Sequence, residues 1–339
     1  PSSAASDVYK RQPWHHTENG FRNPKGSPQK NSWIKRIPWL FGRPFKSIFA
    51  DSPKLPANHI MTKGQVFDGL KTTAGKNTVT WLGHMTALLR IDGKSILTDP
   101  WLTSHASPVR PLGPKRYVEP ALEISELPPI NFIVISHSHF DHLDIPTIST
   151  IPNREKITVI VPLGIGKYFK PYGYKKIIEL DWEKSVMEDG ISFTALPAIH
   201  WSKRSIFTTN DTLWAGWAIK GKSGIRVFFA GDSEYSSIYQ DIAKRHGGFD
   251  LSLLSIGAFL PRVVMHGSHC IPEDCIKIGN DMKAMNHLGM HWGTAILSLE
   301  PIWEPPVRFK ANAEKFGYKK EDAVIFKIGE IKKLDELIN

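Results

Sequence analysis

Four side chains able to bind metal lie within six residues of this chain, and this cluster constrains the fold more than any other feature. His137, His139, Asp141 and His142 directly follow the apolar run Phe132–Ile135. Neutral imidazole nitrogens and carboxylate oxygens are typical zinc ligands. Three imidazole rings packed at a strand end without a metal would be exposed or desolvated without benefit. The cluster therefore predicts a metal site in a loop at the edge of a β-sheet.

The spacing within the cluster is compatible with two adjacent metal ions. In an extended segment, side chains two residues apart point the same way, so His137 and His139 share a face. Asp141 and His142 lie on the following turn. Four ligands are too few for two cations, so this hypothesis requires more ligands farther along the chain.

Three further candidates each end an apolar segment. His200 ends the run that begins at residue 193, Asp232 follows the run 227–231, and His291 follows the run 288–290. Each one alone has an ordinary explanation as a core or loop residue. Three such endings can nevertheless converge on one edge of a sandwich of sheets, where they would supply the missing ligands.

Short apolar runs recur from residue 77 onward and predict β-strands. These runs are Val79–Leu82, Ala87–Ile91, Ser95–Leu97, Phe132–Ile135, Thr158–Val161, Ile191–Leu196, Trp214–Ile219, Arg226–Ala230 and Leu251–Ile256. Helical patterns are fewer, at Ile145–Ile151, Tyr235–Arg245, Pro272–Met285 and Ala311–Phe316. Strands that come first in series and then alternate with helices indicate a layered α/β domain.

The chain divides into four predicted regions. Residues 1–12 form a polar stretch rich in Ser and Ala, which we expect to be non-native or disordered. Residues 13–75 form an N-terminal extension rich in proline, aromatic and basic residues, 76–332 a catalytic domain, and 333–339 a tail. The extension fits two roles: it lies on an anionic membrane surface, or it packs over the catalytic domain. Its prolines argue against one continuous amphipathic helix.

Composition limits the partners and the location of the chain. No apolar run approaches the roughly 18 residues that span a bilayer, and the chain start lacks the pattern of a secretory signal, so an integral membrane protein is not expected. The formal net charge of +10 suits anionic lipid surfaces, phosphorylated substrates or nucleic acid, or simply favours solubility. No nucleic-acid-reading motif is recognisable in the predicted catalytic domain, so nucleic acid is not an expected partner.

The chain contains two cysteines, Cys270 and Cys275. Their spacing matches neither a zinc knuckle nor a disulfide framework. We therefore expect two free thiols in a reducing, intracellular compartment. Within the cell, the cytoplasm or the periphery of an organelle membrane, including a mitochondrial one, is the expected location.

Taken together, these segments resemble the metallo-β-lactamase superfamily, whose HxHxDH signature is found here as His137–His142. The resemblance covers approximately residues 77–309. It is strongest to the branch containing N-acylphosphatidylethanolamine-hydrolysing phospholipase D enzymes, with bacterial sugar-lactone hydrolases more distant. The segments that carry it are Thr80–His84, Leu97–Pro100, Thr212–Gly216, Phe229–Asp232, His291–Thr294 and Glu304–Pro306, together with Gly20–Asn23 in the extension.

This resemblance implies a fold and a ligand set. The fold is an αβ/βα four-layer sandwich, with two packed β-sheets and outer helices. The ligand set comprises His137, His139 and His200 for one zinc ion, Asp141, His142 and His291 for the other, and Asp232 as the bridge between them. An aspartate bridge in place of the cysteine of true β-lactamases points away from antibiotic hydrolysis. Met85 and Ala295 depart from the family pattern, which affects pocket shape and substrate choice but not metal binding.

Three more residues have candidate supporting roles. Asp99 orients a metal-bound histidine or caps the turn before Pro100. His84 contacts substrate or packs in its loop. His269 matches a histidine near the active site of the phospholipase branch, where it would contact substrate or donate a proton; the alternative is a surface residue at a helix entry.

The predicted function is zinc-dependent phosphodiester hydrolysis of the phospholipase D type, with Asp141 and His269 in catalysis and two zinc ions per chain. The resemblance implies N-acylphosphatidylethanolamine as the phospholipid substrate, and phosphatidic acid and an N-acylethanolamine as products. Peripheral contact with an anionic membrane and homodimer formation are compatible partner predictions. Two alternatives stay open: a soluble lactonase or phosphodiesterase acting on a sugar or nucleotide, and a zinc-binding module without turnover. The full set of seven ligands argues against the second.

Overall fold

Two seven-stranded β-sheets organise the computed structural model, which describes residues 13–32, 35, 54–56, 58–205 and 207–338. The strands are β1 (His16–Thr17), β2 (Gly20–Phe21), β3 (Thr78–Gly83), β4 (Thr86–Ile91), β5 (Lys94–Thr98), β6 (Phe132–Val134), β7 (Thr158–Pro162), β8 (Lys176–Leu180), β9 (Ser185–Glu188), β10 (Ile191–Leu196), β11 (Gly216–Lys220), β12 (Arg226–Phe229), β13 (Phe249–Ser255), β14 (Ala284–Met290), β15 (Ala323–Val324) and β16 (Ile331–Lys333). The helices are α1 (Lys63–Thr72), α2 (Ile145–Thr150), α3 (Ile238–His246), α4 (Arg262–Met265), α5 (Pro272–Asp281), α6 (Glu304–Ala313) and α7 (Leu334–Ile338).

Each large sheet is antiparallel in one half and parallel in the other. The first has the order β16-β3-β4-β5-β6-β7-β8, with parallel pairing from β5 to β8. The second has the order β15-β14-β13-β12-β11-β10-β9, with parallel pairing from β12 to β15. Strands β3, β5 and β6 therefore run in one direction within the first sheet. Strands β10, β12 and β14 likewise share a direction within the second.

The two sheets pack face to face through apolar side chains. Phe132 of β6 lies against Phe193 of β10, with ring centroids 5.0 Å apart. The indole of Trp217 in β11 donates a hydrogen bond to the backbone oxygen of Ile135, at 2.9 Å. Both rings and the indole are fully or almost fully buried. The predicted fold class, two packed sheets with helices, is confirmed.

Strands that are buried on both faces account for the apolar runs in the sequence. All three residues of β6 are buried, for example, and β6 pairs in parallel with β5 and β7. Parallel strands in an α/β layer need apolar residues because both of their faces are covered. Every predicted strand corresponds to one of these elements. Edge strands β8 and β9 escaped prediction, because most of their residues are exposed or only partly covered.

Two predicted helices have different limits in the structure. The helix expected to run to Met285 ends at Asp281, and β14 begins at Ala284. Lys283 adopts the left-handed conformation (φ 57°), which stops the helix before the strand starts. Helix α6 begins at Glu304, seven residues before its predicted start, with prolines in its first turn.

Some predictions concern residues that the structure does not describe. The expectation for residues 1–12 lies outside the described residues, and so does the part of the N-terminal extension from 36 to 53. Of the residues predicted as a tail, Lys333 belongs to β16, which pairs with β3, and Leu334 is completely buried. Among the described residues, no helix is long and apolar enough to cross a membrane.

The described part of the extension packs on the two-sheet sandwich, and Asp181 anchors it. His15 and His16 each donate from Nε2 to a different oxygen of Asp181, at 2.6 and 2.8 Å. The His15 ring also stacks on Trp182, with centroids 4.4 Å apart. We call residues 13–32 the arm.

Farther along the arm, Gly20 lies so close to the backbone of Asn210 that a Cβ atom would be 2.0 Å from the carbonyl oxygen. Its φ of +142° is also one that other residues rarely adopt. A glycine is therefore required where the arm meets the domain.

The two cysteines form a disulfide, so the expectation of free thiols was wrong. Cys270 lies in the loop before α5 and Cys275 in the first turns of that helix, with Cα atoms 5.6 Å apart. This distance is within the range that a disulfide requires. The helix that starts at Pro272 turns the chain back on itself and brings the second cysteine beside the first, which the spacing alone did not reveal.

We expect Asp181→Asn to loosen the arm. Asparagine keeps one acceptor oxygen, so one of the two histidines loses its partner, and a lost bond of about 1 kcal/mol raises the detached population roughly fivefold. Limited digestion with trypsin, followed by mass spectrometry at Arg22 and Lys25, measures this change. Asp189→Asn is the control, because Asp189 is exposed, pairs with Lys94 and does not touch the arm. Equal cleavage rates in both variants would contradict the assignment of Asp181 as the anchor.

The anchor should also weaken in acid. Burial by itself would raise the pKa of Asp181, but hydrogen bonds from His15, the Trp182 backbone and His16 hold that pKa below its ordinary value. A lowered carboxyl pKa means that the contribution to stability is present above the unfolded-state pKa and is lost as pH falls through the folded-state value. Detachment of the arm should therefore increase only at pH values below the ordinary range for aspartate titration, where pepsin, a protease active in acid, replaces trypsin in the cleavage measurement.

The disulfide predicts the thiol content of the protein. Unfolded in guanidinium without reductant, the chain should show no reactive thiol, and after reduction it should show two, because it has only two cysteines. Replacing both cysteines with serine should lower the free energy of unfolding by roughly 2 kcal/mol, the value expected for closing a short loop. Two reactive thiols before reduction would show that the bond does not form.

Candidate metal centre

The candidate ligands all follow strands whose carboxyl ends meet at one edge of the sandwich. In the first sheet His84 follows β3, Asp99 follows β5 and the 137–142 loop follows β6. In the second sheet His200 follows β10, Asp232 follows β12 and His291 follows β14. Because these strands share a direction within each sheet, their ends bring residues far apart in sequence to one place.

One group of three histidines has nitrogen atoms that point at a common space. His137 Nε2 lies 2.7 Å from His139 Nδ1, and His200 Nε2 lies 3.2 Å from the same His139 atom. All three are close enough to share a metal ion. This is the set that the sequence assigned to the first ion.

A second group surrounds Asp141. Its Oδ2 atom lies 3.5 Å from His142 Nε2 and 3.7 Å from His291 Nε2. His84 belongs to the same group, with its Nε2 atom 3.0 Å from Asp141 Oδ2. The structure thus places His84 on a candidate ligand, in addition to the three residues expected there.

Asp232 lies between the two groups. Its Oδ2 atom is 3.1 Å from His142 Nε2 and 3.3 Å from His291 Nε2 on one side. On the other side it is 3.9 Å from His200 Nε2 and 4.0 Å from His137 Nε2. Ser255 donates a hydrogen bond to the other oxygen, Oδ1, at 2.8 Å. One carboxylate oxygen therefore faces both groups, which is the position of a bridge.

The hydrogen bonds of the outer ring nitrogens show that this donor set fits metal cations. His137 Nδ1 bonds to the Ser136 hydroxyl at 2.9 Å, and His200 Nδ1 bonds to the Ser268 backbone oxygen at 2.9 Å. These bonds use the ring protons and leave a lone pair on each Nε2 atom. Lone pairs directed at one another repel unless a cation lies between them.

The second group supports the same conclusion. Among the described residues, His142 Nε2 and His291 Nε2 are buried and have no hydrogen-bond partner. Buried polar atoms are ordinarily paired, so two unpaired nitrogens beside two carboxylates indicate a missing electrophile. The residues present therefore fit two cations of the kind that imidazole and carboxylate bind, namely zinc, iron or manganese.

The histidines of the two groups differ in the direction of their pKa shifts. Burial lowers the pKa of His139 and of His84 to about 3, and it lowers the pKa of His137 and His200 well below the ordinary value. These rings are therefore neutral, the form that binds metal. Burial opposes a charge on His142 and His291 as well, but the carboxylates Asp232 and Asp141 outweigh it. The pKa of His142 is raised well above its usual range and that of His291 to about 9.

Asp99 is fully buried and orients His142. It accepts hydrogen bonds from His142 Nδ1 at 2.7 Å, from the Ser136 backbone at 2.6 Å and from the Ser136 hydroxyl at 2.5 Å. The bond to Nδ1 turns Nε2 of His142 toward Asp232. Of the two roles considered for Asp99, the contact with a candidate ligand is therefore the one the structure contains.

His269 lies at the centre and not at a surface helix entry. Its Nδ1 atom is 3.8 Å from Asp232 Oδ2, and its ring is 5.2 Å from the His200 ring. Its side chain is only 12% exposed, and burial lowers its pKa well below the ordinary value. Arg262 holds its backbone oxygen at 2.6 Å.

Arg204 also supports the metal-binding loop, and it was not predicted. Its Nη1 atom donates to the backbone oxygens of Leu143 and Ser138, at 2.7 and 3.1 Å, and its guanidinium lies 4.0 Å from the Phe140 ring centroid. In the sequence, Arg204 is one of several basic residues, and no motif indicates a role for it. Only its position in the fold, on the loop that follows His200, reveals the contact.

A small pocket of about 30 Å³ opens beside His291. Its walls include Tyr117, Trp292, Ala295 and Glu300. A larger side chain at position 295 would project into this space, so the alanine that departs from the family pattern leaves it open. The other departure, Met85, is fully buried.

Comparison with known proteins identifies the family. Residues 94–292 match the model described as a beta-lactamase superfamily domain. This chain is a member of the metallo-β-lactamase superfamily. A solved structure of a metallo hydrolase from the archaeon Ignicoccus hospitalis is similar in fold, with a TM-score of 0.55 and 20% identity over 76% of this chain and 97% of that one.

Relatives of this superfamily member include named enzymes. A Caenorhabditis elegans N-acyl-phosphatidylethanolamine-hydrolyzing phospholipase D is 36% identical over 63% of this chain and 63% of its own length. The mitochondrial enzyme of that name from Saccharomyces cerevisiae is 35% identical over 71% of this chain and 52% of its own length. An uncharacterized Mycobacterium tuberculosis protein is 38% identical over 71% and 65%. The matched region spans less than two thirds of each relative. The resemblance drawn from the sequence, including its branch, is confirmed, and the chain belongs to a family of metal-dependent hydrolases.

Asp99→Asn should weaken metal binding without unfolding the domain. Residues that orient a metal-bound histidine typically change metal affinity about 10- to 100-fold when replaced. Competition with a chromophoric zinc chelator measures this affinity, and circular dichroism checks the fold. Asp250→Asn is the control, because Asp250 accepts a hydrogen bond from the Arg226 backbone away from the centre. If Asp99→Asn bound zinc as tightly as the control, the role of Asp99 would be limited to the turn.

Proposed function

We propose that this chain is a two-zinc phosphodiesterase of the phospholipase D type that hydrolyses N-acylphosphatidylethanolamine. The single observation that carries the proposal is the position of Asp232, with one oxygen 3.1 to 4.0 Å from imidazole nitrogens of both groups. An aspartate that bridges two cations suits the in-line displacement at phosphorus that two-metal sites perform. The names of the worm and yeast relatives support the lipid substrate.

The ligand assignment follows the two groups. His137, His139 and His200 would hold one zinc ion, and Asp141, His142 and His291 the other, with Asp232 shared. His84 would contact Asp141 from outside the ligand set, because its ring is adjacent to the His291 ring, with centroids 4.0 Å apart. When bound, the metal pair supplies an activated water and neutralises charge on the phosphoryl oxygens.

In the reaction, water attacks phosphorus and the bond from phosphorus to the ethanolamine oxygen breaks. The products are phosphatidic acid and an N-acylethanolamine, whose oxygen takes up a proton. The chain's own residues position these atoms. Asp99 and Ser136 fix the His137 and His142 rings, and Arg204 holds the loop that carries Asp141.

His269 would contact the substrate in this scheme. Its ring faces Asp232 and carries no charge, because burial lowers its pKa. A neutral imidazole donates a hydrogen bond to a phosphoryl or leaving oxygen without repelling the neighbouring cations. Proton donation to the leaving oxygen is the stronger form of the same contact.

We further propose that the enzyme acts at the surface of an anionic membrane, on the periphery of an organelle. The net charge of +10 and the name of the mitochondrial yeast relative support this location. The predicted homodimer stays a prediction.

Elemental analysis and lipid hydrolysis together test the proposed function. Purified protein should contain two zinc ions per chain and release N-acylethanolamine from N-acylphosphatidylethanolamine vesicles. Chelation should abolish turnover and added zinc should restore it. Asp141→Asn should reduce turnover by about 100-fold or more, because it removes the charge of a metal ligand, whereas Asp250→Asn should not.

The contrary outcomes separate the parts of the proposal. Two zinc ions without lipid turnover, but with lactone or generic phosphodiester hydrolysis, would overturn the lipid substrate and favour the soluble alternative. Bound zinc without turnover of any of these substrates would favour the non-catalytic module. Protein that binds no metal would overturn the whole assignment.

A further inference from the structure

The imidazole of His269 lies at the candidate metal centre, but no hydrogen bond holds its Nδ1 atom there. This atom is buried and has no hydrogen-bond partner among the described residues. It is 3.8 Å from Asp232 Oδ2, which is longer than a hydrogen bond. The nearby His200 and His291 rings are 5.2 and 5.5 Å away between centroids. The position of the His269 ring therefore depends on how its backbone is held.

The backbone around His269 is held by two bonds to its carbonyl oxygens. The Ser268 oxygen accepts a hydrogen bond from the His200 ring at 2.9 Å. The His269 oxygen accepts one from Nη1 of Arg262 at 2.6 Å. The first bond involves a candidate ligand, whereas the second comes from a side chain outside both ligand groups. Arg262 can therefore be changed without altering a candidate ligand.

Glu234 holds the Arg262 guanidinium in place. The Glu234 side chain is only 3% exposed, and a buried carboxylate is costly unless it is paired. Its Oε2 atom accepts hydrogen bonds from Nη2 of Arg262 and, at 3.0 Å, from the Gly267 backbone. Its Oε1 atom accepts one from the Tyr235 backbone at 3.2 Å. Because a guanidinium is planar and rigid, the bond at Nη2 fixes the direction in which Nη1 reaches His269.

Glu234 is itself fixed to the segments that carry two candidate ligands. It follows Asp232 by two residues, and its backbone nitrogen donates to the oxygen of Ile199, next to His200, at 3.0 Å. The ion pair with Arg262 therefore ties α4 and the loop after it to the candidate metal centre.

We propose that Arg262 and Glu234 are positioning residues: Arg262, held by Glu234, fixes the His269 imidazole at the point where it contacts the substrate. This inference rests on the proposed function, which assigns that contact to His269. Neither residue touches the substrate or a metal ion in this scheme. Both act through His269.

Arg262→Lys in the zinc-loaded full-length chain tests the inference. Lysine keeps a positive charge beside Glu234, so the buried carboxylate stays compensated. Its single ammonium lacks the planar fork that reaches Glu234 and His269 at once. We expect kcat for bis(4-nitrophenyl) phosphate to fall about tenfold, because a small misplacement of a catalytic group is costly. Zinc content and the circular dichroism spectrum should stay as in the wild type.

Arg226→Lys is the matched control. Arg226 also donates to the backbone oxygen of a histidine, His246, at 2.6 Å. It begins β12, at the end of that strand opposite Asp232. The control should therefore keep the wild-type kcat.

A double substitution separates positioning from a general structural role. In a His269→Gln background, Arg262→Lys should change kcat by less than about twofold, because the ring through which it acts is already absent. Each single variant should also change kcat and KM in the same proportion. Glu234→Gln should lower kcat in the same way, since glutamine keeps an acceptor oxygen but loses the charge that holds the guanidinium. Wild-type kcat in Glu234→Gln would overturn the part assigned to Glu234.

NMR of the histidine rings gives a readout that does not depend on turnover. In zinc-loaded protein labelled with ¹⁵N-histidine, the His269 ring signals are those missing from His269→Gln. They should shift in Arg262→Lys and stay in place in Arg226→Lys. Unchanged His269 signals in Arg262→Lys would overturn the inference whether or not the chain turns over a substrate.

Failure of the inference is distinguishable from failure of the proposed function. Coupled loss of phosphodiester turnover, in a chain that does not cleave the lipid, would leave the inference standing and overturn the lipid reaction. Lipid cleavage by Arg262→Lys at the wild-type rate would overturn the inference and leave the proposed function intact. Independent, multiplying effects of the Arg262 and His269 substitutions, or a lower zinc content in Arg262→Lys, would also overturn it, because Arg262 would then act by another route.

Discussion

The buried charge of Asp232 is the constraint on which the rest of the structure depends. Its side chain is only 2% exposed, and an isolated carboxylate is costly in such a place. The Ser255 hydroxyl satisfies one oxygen, and only cations or protonated rings can compensate the other. Strands of both sheets must therefore end at the same edge, so that imidazoles from each sheet surround one oxygen atom. The convergence of strand ends and the candidate metal centre therefore answer the same electrostatic requirement.

Hydrogen bonds with neighbouring side chains and backbone atoms hold the candidate ligands in position. Asp99, Ser136 and the backbone oxygen of Ser268 fix the outer nitrogens of three histidines, and Arg204 ties down the loop that carries Asp141. Each of these bonds determines which nitrogen of a ring faces the centre. The orientation of these rings is therefore set by hydrogen bonds among protein groups.

The parts of the fold that could be predicted are those with a local signal. Strand β6 is apolar throughout because both of its faces are covered, and the HxHxDH loop can be recognised from its residue types. Strand β14 has no such signal, since it contains Asn286 and His287, and its first two residues were assigned to the preceding helix. The disulfide depends on where α5 begins, which spacing alone does not determine.

The same reasoning applies at the centre. Histidines at strand ends could be proposed as ligands because residue type and position agreed, and the structure gathers them into the expected groups. Arg204 and Asn23 carry no comparable signal, because their contacts arise from proximity between distant segments. An asparagine 177 residues away from the histidine it contacts cannot be recognised by periodicity or motif.

The Asn23 side chain donates a hydrogen bond to the backbone oxygen of His200 at 2.9 Å and accepts one from its backbone nitrogen at 3.0 Å. These two bonds connect the attachment of the arm with the candidate metal centre. The arm attaches to the backbone of a residue whose ring belongs to the candidate metal centre, so anything that steadies residue 200 also steadies the arm. Thermodynamic linkage makes this effect reciprocal: a metal that binds more tightly when the arm is attached must fasten the arm by the same free energy. Any difference in metal affinity between the attached and the detached arm would therefore appear as an equal difference in arm attachment between the occupied and the empty centre.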